Sequence, residues 1–284
     1  MGSFKSLALA GVFAVAASAT ALAADMLPPP PPMPYGPAPV PVEFGGGWYL
    51  RGDVGVGALD FDKFEGIDTN PAFIGPPAGY HVDHKMIADQ AFVGFGAGYK
   101  FNSWFRADLT GEYRTAAQFK TVESYIFPPA TARGINLVEA KLSSIVGLAN
   151  GYIDFGNWHG FTPFVGAGVG FARHKVLGLT DIGAGTAAGG IGFAPDRDTT
   201  KFAWALHAGV GMAISPNAKL ELAYRYLNMG KAEAGGLNCF NAVVCPDTAY
   251  SLKEIDSHDI KLGLRWMLAV APPPIYDAPL IRKY

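Results

Sequence analysis

Apolar and polar residues alternate with period two along several stretches of the chain, and the alternation reads inside out. From Phe105 to Arg114, Phe105, Ala107, Leu109, Gly111 and Tyr113 share one face of a predicted strand; Arg106, Asp108, Thr110, Glu112 and Arg114 share the other. Leu220, Leu222, Tyr224 and Tyr226 likewise oppose Glu221, Ala223, Arg225 and Leu227. Near the end, Ile260, Leu262, Leu264 and Trp266 oppose Asp259, Lys261, Gly263 and Arg265. The pattern predicts eight strands, at 47–58, 90–101, 104–116, 141–155, 161–174, 201–214, 218–228 and 257–268. Each is long enough to cross a bilayer at a tilt, which takes about 9–11 residues. Connections after the second, fourth and sixth strands are short: Phe101–Ser103, Phe155–Gly160 and Ser215–Asn217. Those after the other strands are long, at 59–89, 117–140, 175–200 and 229–256. Apolar-out, charged-in strands with alternately short and long connections predict an all-β fold, an eight-stranded antiparallel transmembrane β-barrel. A soluble up-and-down barrel with an apolar interior is the rival reading. The export signal described next, the loop asymmetry and the aromatic placement count against it.

Composition sharpens this reading. Half of the 284 residues are hydrophobic and only 16% are charged, against about 25% in soluble proteins. No uninterrupted apolar run of roughly 18 residues follows the N-terminus, so the apolarity belongs to strands. The net charge of −2 gives no electrostatic case for a nucleic-acid partner. Lys5, the apolar Leu7–Ala17 stretch and Ala21-Leu22-Ala23 form a secretory signal, with cleavage expected after Ala23. The expected organisation is a signal peptide at 1–23, a Pro-rich periplasmic segment at 24–45, the barrel at 46–268 and a Pro-rich periplasmic tail at 269–284. Residues 28–41 should adopt extended polyproline II. Export to an oxidising compartment makes Cys239 and Cys245 an expected local disulfide.

Strand parity turns Arg51, Asp53, Lys100, Arg106, Asp108, Glu112, Arg114, Glu221, Arg225, Lys261 and Arg265 into the lumen. Eight strands enclose a space that side chains just fill, and unpaired buried charge is costly. These groups are therefore expected to form an ion-pair network plugging the barrel; a narrow ion pathway is the alternative. The first long connection carries His81 and His84 near acidic residues, candidate ligands for a transition metal or haem iron, with a solvated polar loop as the plainer reading. No metal or other cofactor is assigned. Trp48, Trp104, Tyr113, Trp158, Tyr224 and Trp266 fall near strand ends on the outward face, as interface girdles do. His174, His207, Ser143 and Ser144 come with no nucleophile motif, so no enzyme is expected.

Four segments resemble a known family: Phe105–Arg114, Asp154–Gly170, Leu222–Gly230 and His258–Trp266. They are similar to small OmpA-like, porin-family outer-membrane β-barrel surface proteins and opacity-type antigens of Gram-negative bacteria, over about residues 46–268. The tail beyond Leu268 departs from the usual ending. The resemblance implies a cell-outer-membrane location and a structural role. The barrel would present its loops to other surfaces and contribute to outer-membrane integrity. Outer-membrane lipid and lipopolysaccharide are the implied partners, with peptidoglycan or a host surface as further ones. A small-solute porin and a haem- or metal-binding surface receptor are the alternatives.

Overall fold

A computed structural model describes residues 47–68, 79–126, 133–184, 190–240 and 248–268. The signal and Pro-rich segments expected at 1–23, 24–45 and 269–284 lie outside these residues. The described chain is all strand: β1 (Gly47–Asp68), β2 (His81–Ile87), β3 (Gln90–Lys100), β4 (Phe105–Ile126), β5 (Arg133–Asp154), β6 (Phe161–Ala184), β7 (Gly190–Ala194), β8 (Arg197–Ala213), β9 (Ala218–Asn228), β10 (Ala232–Gly236), β11 (Asn238–Cys239) and β12 (Thr248–Met267).

Eight strands close a ring in the order β1, β3, β4, β5, β6, β8, β9, β12, every neighbour antiparallel. The closing ladder runs from Tyr49↔Met267 to Asp68↔Thr248. These are the eight expected strands, joined at one end by the three short turns. The other four strands lengthen the opposite end: β2 pairs with β4, β7 with β6, β11 with β7, and β10 with β12.

Along the short-turn half, the wall is apolar outside. Trp48, Leu50, Val54 and Val56 project from β1, Val165, Val169 and Phe171 from β6, and Ile260, Leu262 and Leu264 from β12, all exposed. This belt is about 10–12 residues tall on each strand, the height that a tilted crossing needs. Between these side chains, Tyr49, Arg51, Asp53, Glu221, Arg225, Asp259 and Lys261 point inward and are buried.

The expected long loops are corrected by the structure. β1, β4, β5, β6 and β12 run on well past the belt, through much of 59–68, 117–126, 133–140, 175–184 and 248–256. The reason is a loss of phase. Phe61 and Phe64 are both buried although three residues apart, and so are Leu252 and Ile255 on the facing strand, around Glu254 with its φ of 54°. The β4–β5 ladder slips between Arg114 and Ala117, and the β5–β6 ladder between Glu139 and Lys141. Such bulges shift every following side chain by one position. Parity is kept at Phe61, Val138, Leu142 and Val176 and shifted at Phe64, Phe119, Leu179 and Leu252, and in both sets the inward residues change from polar to apolar. Phe61, Phe64, Phe119, Val138, Leu142, Val176, Leu179 and Leu252 form an apolar cluster inside, while Asp62, Lys63, Gln118, Lys141 and Lys175 face out. This half buries apolar groups as a soluble barrel does. Each large side chain buried there contributes roughly 1.5–3 kcal/mol.

Candidate functional site

The lumen behind the belt is filled by two linked ion-pair clusters. In the first, Arg225 grips Glu112 with two bonds, Nη1–Oε2 at 2.7 Å and Nη2–Oε1 at 2.8 Å, and reaches Asp259 Oδ2 at 2.6 Å. Arg114 binds Asp259 through both carboxylate oxygens, at 2.7 and 3.0 Å, and donates to Glu112, Gln90 and Ser257. The two guanidinium groups flank Phe92, each 4.9 Å from its ring centre. Glycine creates this space: a Cβ on Gly57 would overlap the Arg114 guanidinium, the Asp259 carboxylate and the Ser257 hydroxyl.

The second cluster lies nearer the short turns. Arg51 holds Asp53 through Nε and Nη2, at 2.9 and 2.8 Å, and Asp108 at 2.7 Å. It also lies 3.6 Å from Glu221. Arg106 pairs with Asp154 at 3.1 Å and Glu221 at 3.3 Å, its guanidinium over Tyr152 at 4.0 Å and Phe164 at 4.8 Å. Arg265 reaches Glu221 at 3.1 Å, and Lys261 lies 3.7 Å from Asp53. The structure thus brings together Arg51, Asp53, Arg106, Asp108, Glu112, Arg114, Glu221, Arg225, Lys261 and Arg265, and Lys100 is buried on the same inner face. Bidentate Arg–carboxylate geometry and ring stacking are what offset the desolvation of so many charges.

A third group sits above the apolar cluster. Tyr80 donates from its hydroxyl to Glu123 Oε1 at 2.6 Å, and Tyr250 to Asp181 Oδ2 at 2.7 Å. Burial pushes the Glu123 carboxyl up to about 7, and burial also raises Asp181. Burial and the neighbouring carboxylates together raise both tyrosines.

A family model for the outer membrane protein beta-barrel domain matches residues 6–267. The chain belongs to that family. Its place is therefore the outer membrane, with the apolar belt in lipid. Among relatives, an uncharacterized protein of Brucella abortus (strain 2308) is 31% identical over 216 residues, covering 67% of this chain and 70% of its own. A Rickettsia bellii (strain OSU 85-389) protein named as a candidate adhesin is 28% identical over 222 residues, covering 77% and 87%. Among solved structures, the outer membrane protein OprG of Pseudomonas aeruginosa aligns at 13% identity with a TM-score of 0.47, covering 79% of this chain and 98% of that one. At that score it adds nothing to the family assignment.

On this outer-membrane barrel, the expected girdle residues Trp48, Tyr113, Tyr224 and Trp266 are exposed at outward strand positions, and Trp104 and Trp158 are exposed at the short turns. His81 and His84 are exposed on β2, along a cleft of about 800 Å³ that Asp62, Glu65, Tyr80 and Asp83 also line. Among the described residues no group of three or more His, Cys, Asp or Glu side chains is placed to hold a metal ion. Cys239 lies on β11 and is not free, while Cys245 falls outside the described residues, so their pairing stays a proposal.

Several partners escaped the sequence reading. Ser144 and His174 meet at 2.8 Å, with the other ring nitrogen 2.9 Å from the Met229 carbonyl. Both are buried, and a carbonyl stands where a catalytic triad needs a carboxylate. Asp259 was readable by parity yet was not counted among the lumen charges. Asp154 lies at the end of a strand whose mixed faces hide its direction.

Proposed function

We propose that the chain is a sealed outer-membrane anchor that carries a rigid strand-built extension to the cell surface, where it contacts other surfaces. The observation that carries this is the continuous filling of the interior. The Arg–carboxylate network occupies the lumen within the belt, and the Phe61–Phe64–Phe119–Leu252 cluster occupies it above. A barrel of eight strands has no width left for a wet path once side chains fill it. Strand pairing that continues through β2, β7, β10 and β11 supports a stiff external surface rather than free loops. The Rickettsia relative's name agrees with a role in surface contact. The buried Ser144–His174 pair supports packing rather than catalysis.

Planar-bilayer recording on purified, heat-modifiable protein tests this. A silent bilayer is the expected result. Discrete steps whose size scales with salt would show that the lumen conducts, and the small-solute porin reading would replace this one. Surface contact is tested separately, by comparing binding to host cells by bacteria with and without the protein.

A further inference from the structure

Beyond the belt the barrel wall forks. β1 is paired on both edges only from Gly47 to Gly57; from Ala58 to Asp68 it keeps the β12 ladder alone. On the β3 side the wall continues as β2, which pairs with β4 from His81↔Ser124 to Ile87↔Phe119. Among the described residues no ladder joins β1 to β2. Two strand edges therefore face each other across the cleft of about 800 Å³ that residues 62–66 and 80–85 line. An unpaired edge presents a row of N–H and C=O groups to which another chain can pair.

On this edge of β1, side chains do what a neighbouring backbone does elsewhere in the wall. The Lys85 ammonium donates to the Phe61 carbonyl and, at 3.1 Å, to the Asp62 carbonyl. The Tyr80 hydroxyl donates to the Phe64 carbonyl at 3.4 Å, and the Phe61 N–H donates to Asp60 Oδ1 at 2.8 Å. Paired strands lie about 4.8 Å apart; here long side chains bridge the flanks instead. The charge around the cleft is lopsided. Asp60, Asp62, Glu65 and Asp83 stand against Lys63 and Lys85. Lys253 matches Glu65 at 2.6 Å and Lys85 lies 3.6 Å from Asp60. Asp62 and Asp83, both exposed, are left against Lys63.

We propose that this cleft takes an extended, basic peptide segment of a protein on another surface, which adds as a strand between β1 and β2. The inference rests on the reading of this half as the contact surface. Main-chain bonds to the two edges supply affinity, and alternate side chains supply specificity. About five residues cover the length from Asp62 to Gly66, ~17 Å at the rise of a strand. β1 and β2 run in opposite directions. The added segment is thus antiparallel to one flank and parallel to the other, and both kinds of ladder form hydrogen bonds. One face of the segment lies over Phe61 and Phe64, which are buried. The other lies beside Asp62 and Asp83, where lysine or arginine is matched and glutamate is repelled. Lys85 is the plug: incoming N–H groups take over its bonds to the Phe61 and Asp62 carbonyls.

The test is fluorescence titration of the full chain, refolded in detergent, with a labelled peptide of about seven residues that alternates valine and lysine. Saturable one-to-one binding is expected. Replacing the peptide's lysines with glutamate, or methylating its alternate backbone nitrogens, should each weaken binding at least about tenfold; methylation removes several hydrogen bonds at once. Amide exchange should slow at residues 59–66 and 81–85 when the peptide binds. Asp62→Lys combined with Asp83→Lys should weaken binding at least about tenfold, and both sites are exposed, so the fold is kept. Lys85→Met, which keeps an apolar stem and frees two carbonyls, should tighten binding severalfold. A folded wild type that binds no peptide would overturn the proposal; Lys85 and the acids would then guard the edge against pairing. Equal binding of the methylated peptide, protection elsewhere in the chain, or no gain in Lys85→Met would overturn it too. So would a dimer in light scattering that the doubly reversed variant breaks, since a second copy then fills the cleft. Failure here is distinguishable from failure of the surface-contact reading. If bacteria with the doubly reversed variant bind host cells as wild type does, while bacteria lacking the protein do not, the cleft is discarded and surface contact stands.

Discussion

Replacing Arg225 with Leu tests whether the lumen network holds the barrel together. Arg225 faces Glu112 and Asp259 at 2.6–2.8 Å, and only Arg114 shares that duty in this cluster. Two guanidinium groups neutralise two carboxylates; Arg225→Leu leaves one against two, with a net buried charge. At an effective dielectric of 20, each close pair carries about 4 kcal/mol of attraction before desolvation is subtracted. Breaking one side of a buried pair typically costs about 3–5 kcal/mol, because the remaining charge stays buried. Arg225→Leu is therefore expected to lose about that much, read from urea titrations in lipid vesicles by tryptophan emission. Glu112→Leu in the same background restores neutrality, leaving Arg114 with Asp259. The double variant should recover most of the loss, since a buried pair replaced by apolar groups is often close to neutral. A single variant within about 1 kcal/mol of wild type would refute the reasoning, as would a double variant whose losses simply add.

Other outcomes follow from the same structure. A Cβ at Gly170 would fall against the Gly147 carbonyl, whereas nothing lies within 4 Å of one at Gly111 on the lipid face. Gly170→Ala should cost about 1–3 kcal/mol by overpacking, and Gly111→Ala should be neutral to slightly stabilising in the same unfolding assay. Burial raises Glu123 in the folded state from its ordinary 4.5 to about 7. Its contribution is then fully present below pH 4.5 and is lost as pH rises through 7. Glu123→Gln should match wild type near pH 4 and exceed it at pH 8, on the order of a few kcal/mol at most; equal curves at both pH values would contradict the burial argument. His81 and His84 replaced together should leave metal or haem binding no lower than in wild type, since among the described residues no group of three or more such ligands is placed to hold an ion.

The belt half of the barrel was legible because lipid imposes a simple rule. Period-two alternation with apolar groups outward identifies all eight strands, the short turns and the direction of eleven charged side chains from Arg51 to Arg265. Where the rule weakened, legibility weakened with it. Asp154 and Asn150 sit on a strand with glycine and apolar residues on both faces, so parity could not be anchored. Ser144 and His174 are 30 residues apart in sequence and meet only because β5 and β6 pair in register. The far half reads as loop in the sequence because its inward residues are apolar, and because bulges at Arg114/Ala117 and Glu139/Lys141 shift the parity on β4 and β6.

That inversion carries a physical argument about how the chain divides its work. One continuous set of strands meets two solvents, and the interior compensates for each. Where lipid covers the wall, apolar side chains go outward and the lumen must be closed with polar groups, which stay buried by pairing with one another. Where water covers the wall, apolar side chains go inward and close the lumen by packing. Both solutions block the same axis, one with charge and one with hydrocarbon. Pairing is incomplete in both layers: Arg106, His207, Glu221 and Arg265 in the lumen keep buried atoms without a hydrogen-bond partner, as do Thr121 and Asp181 in the apolar half.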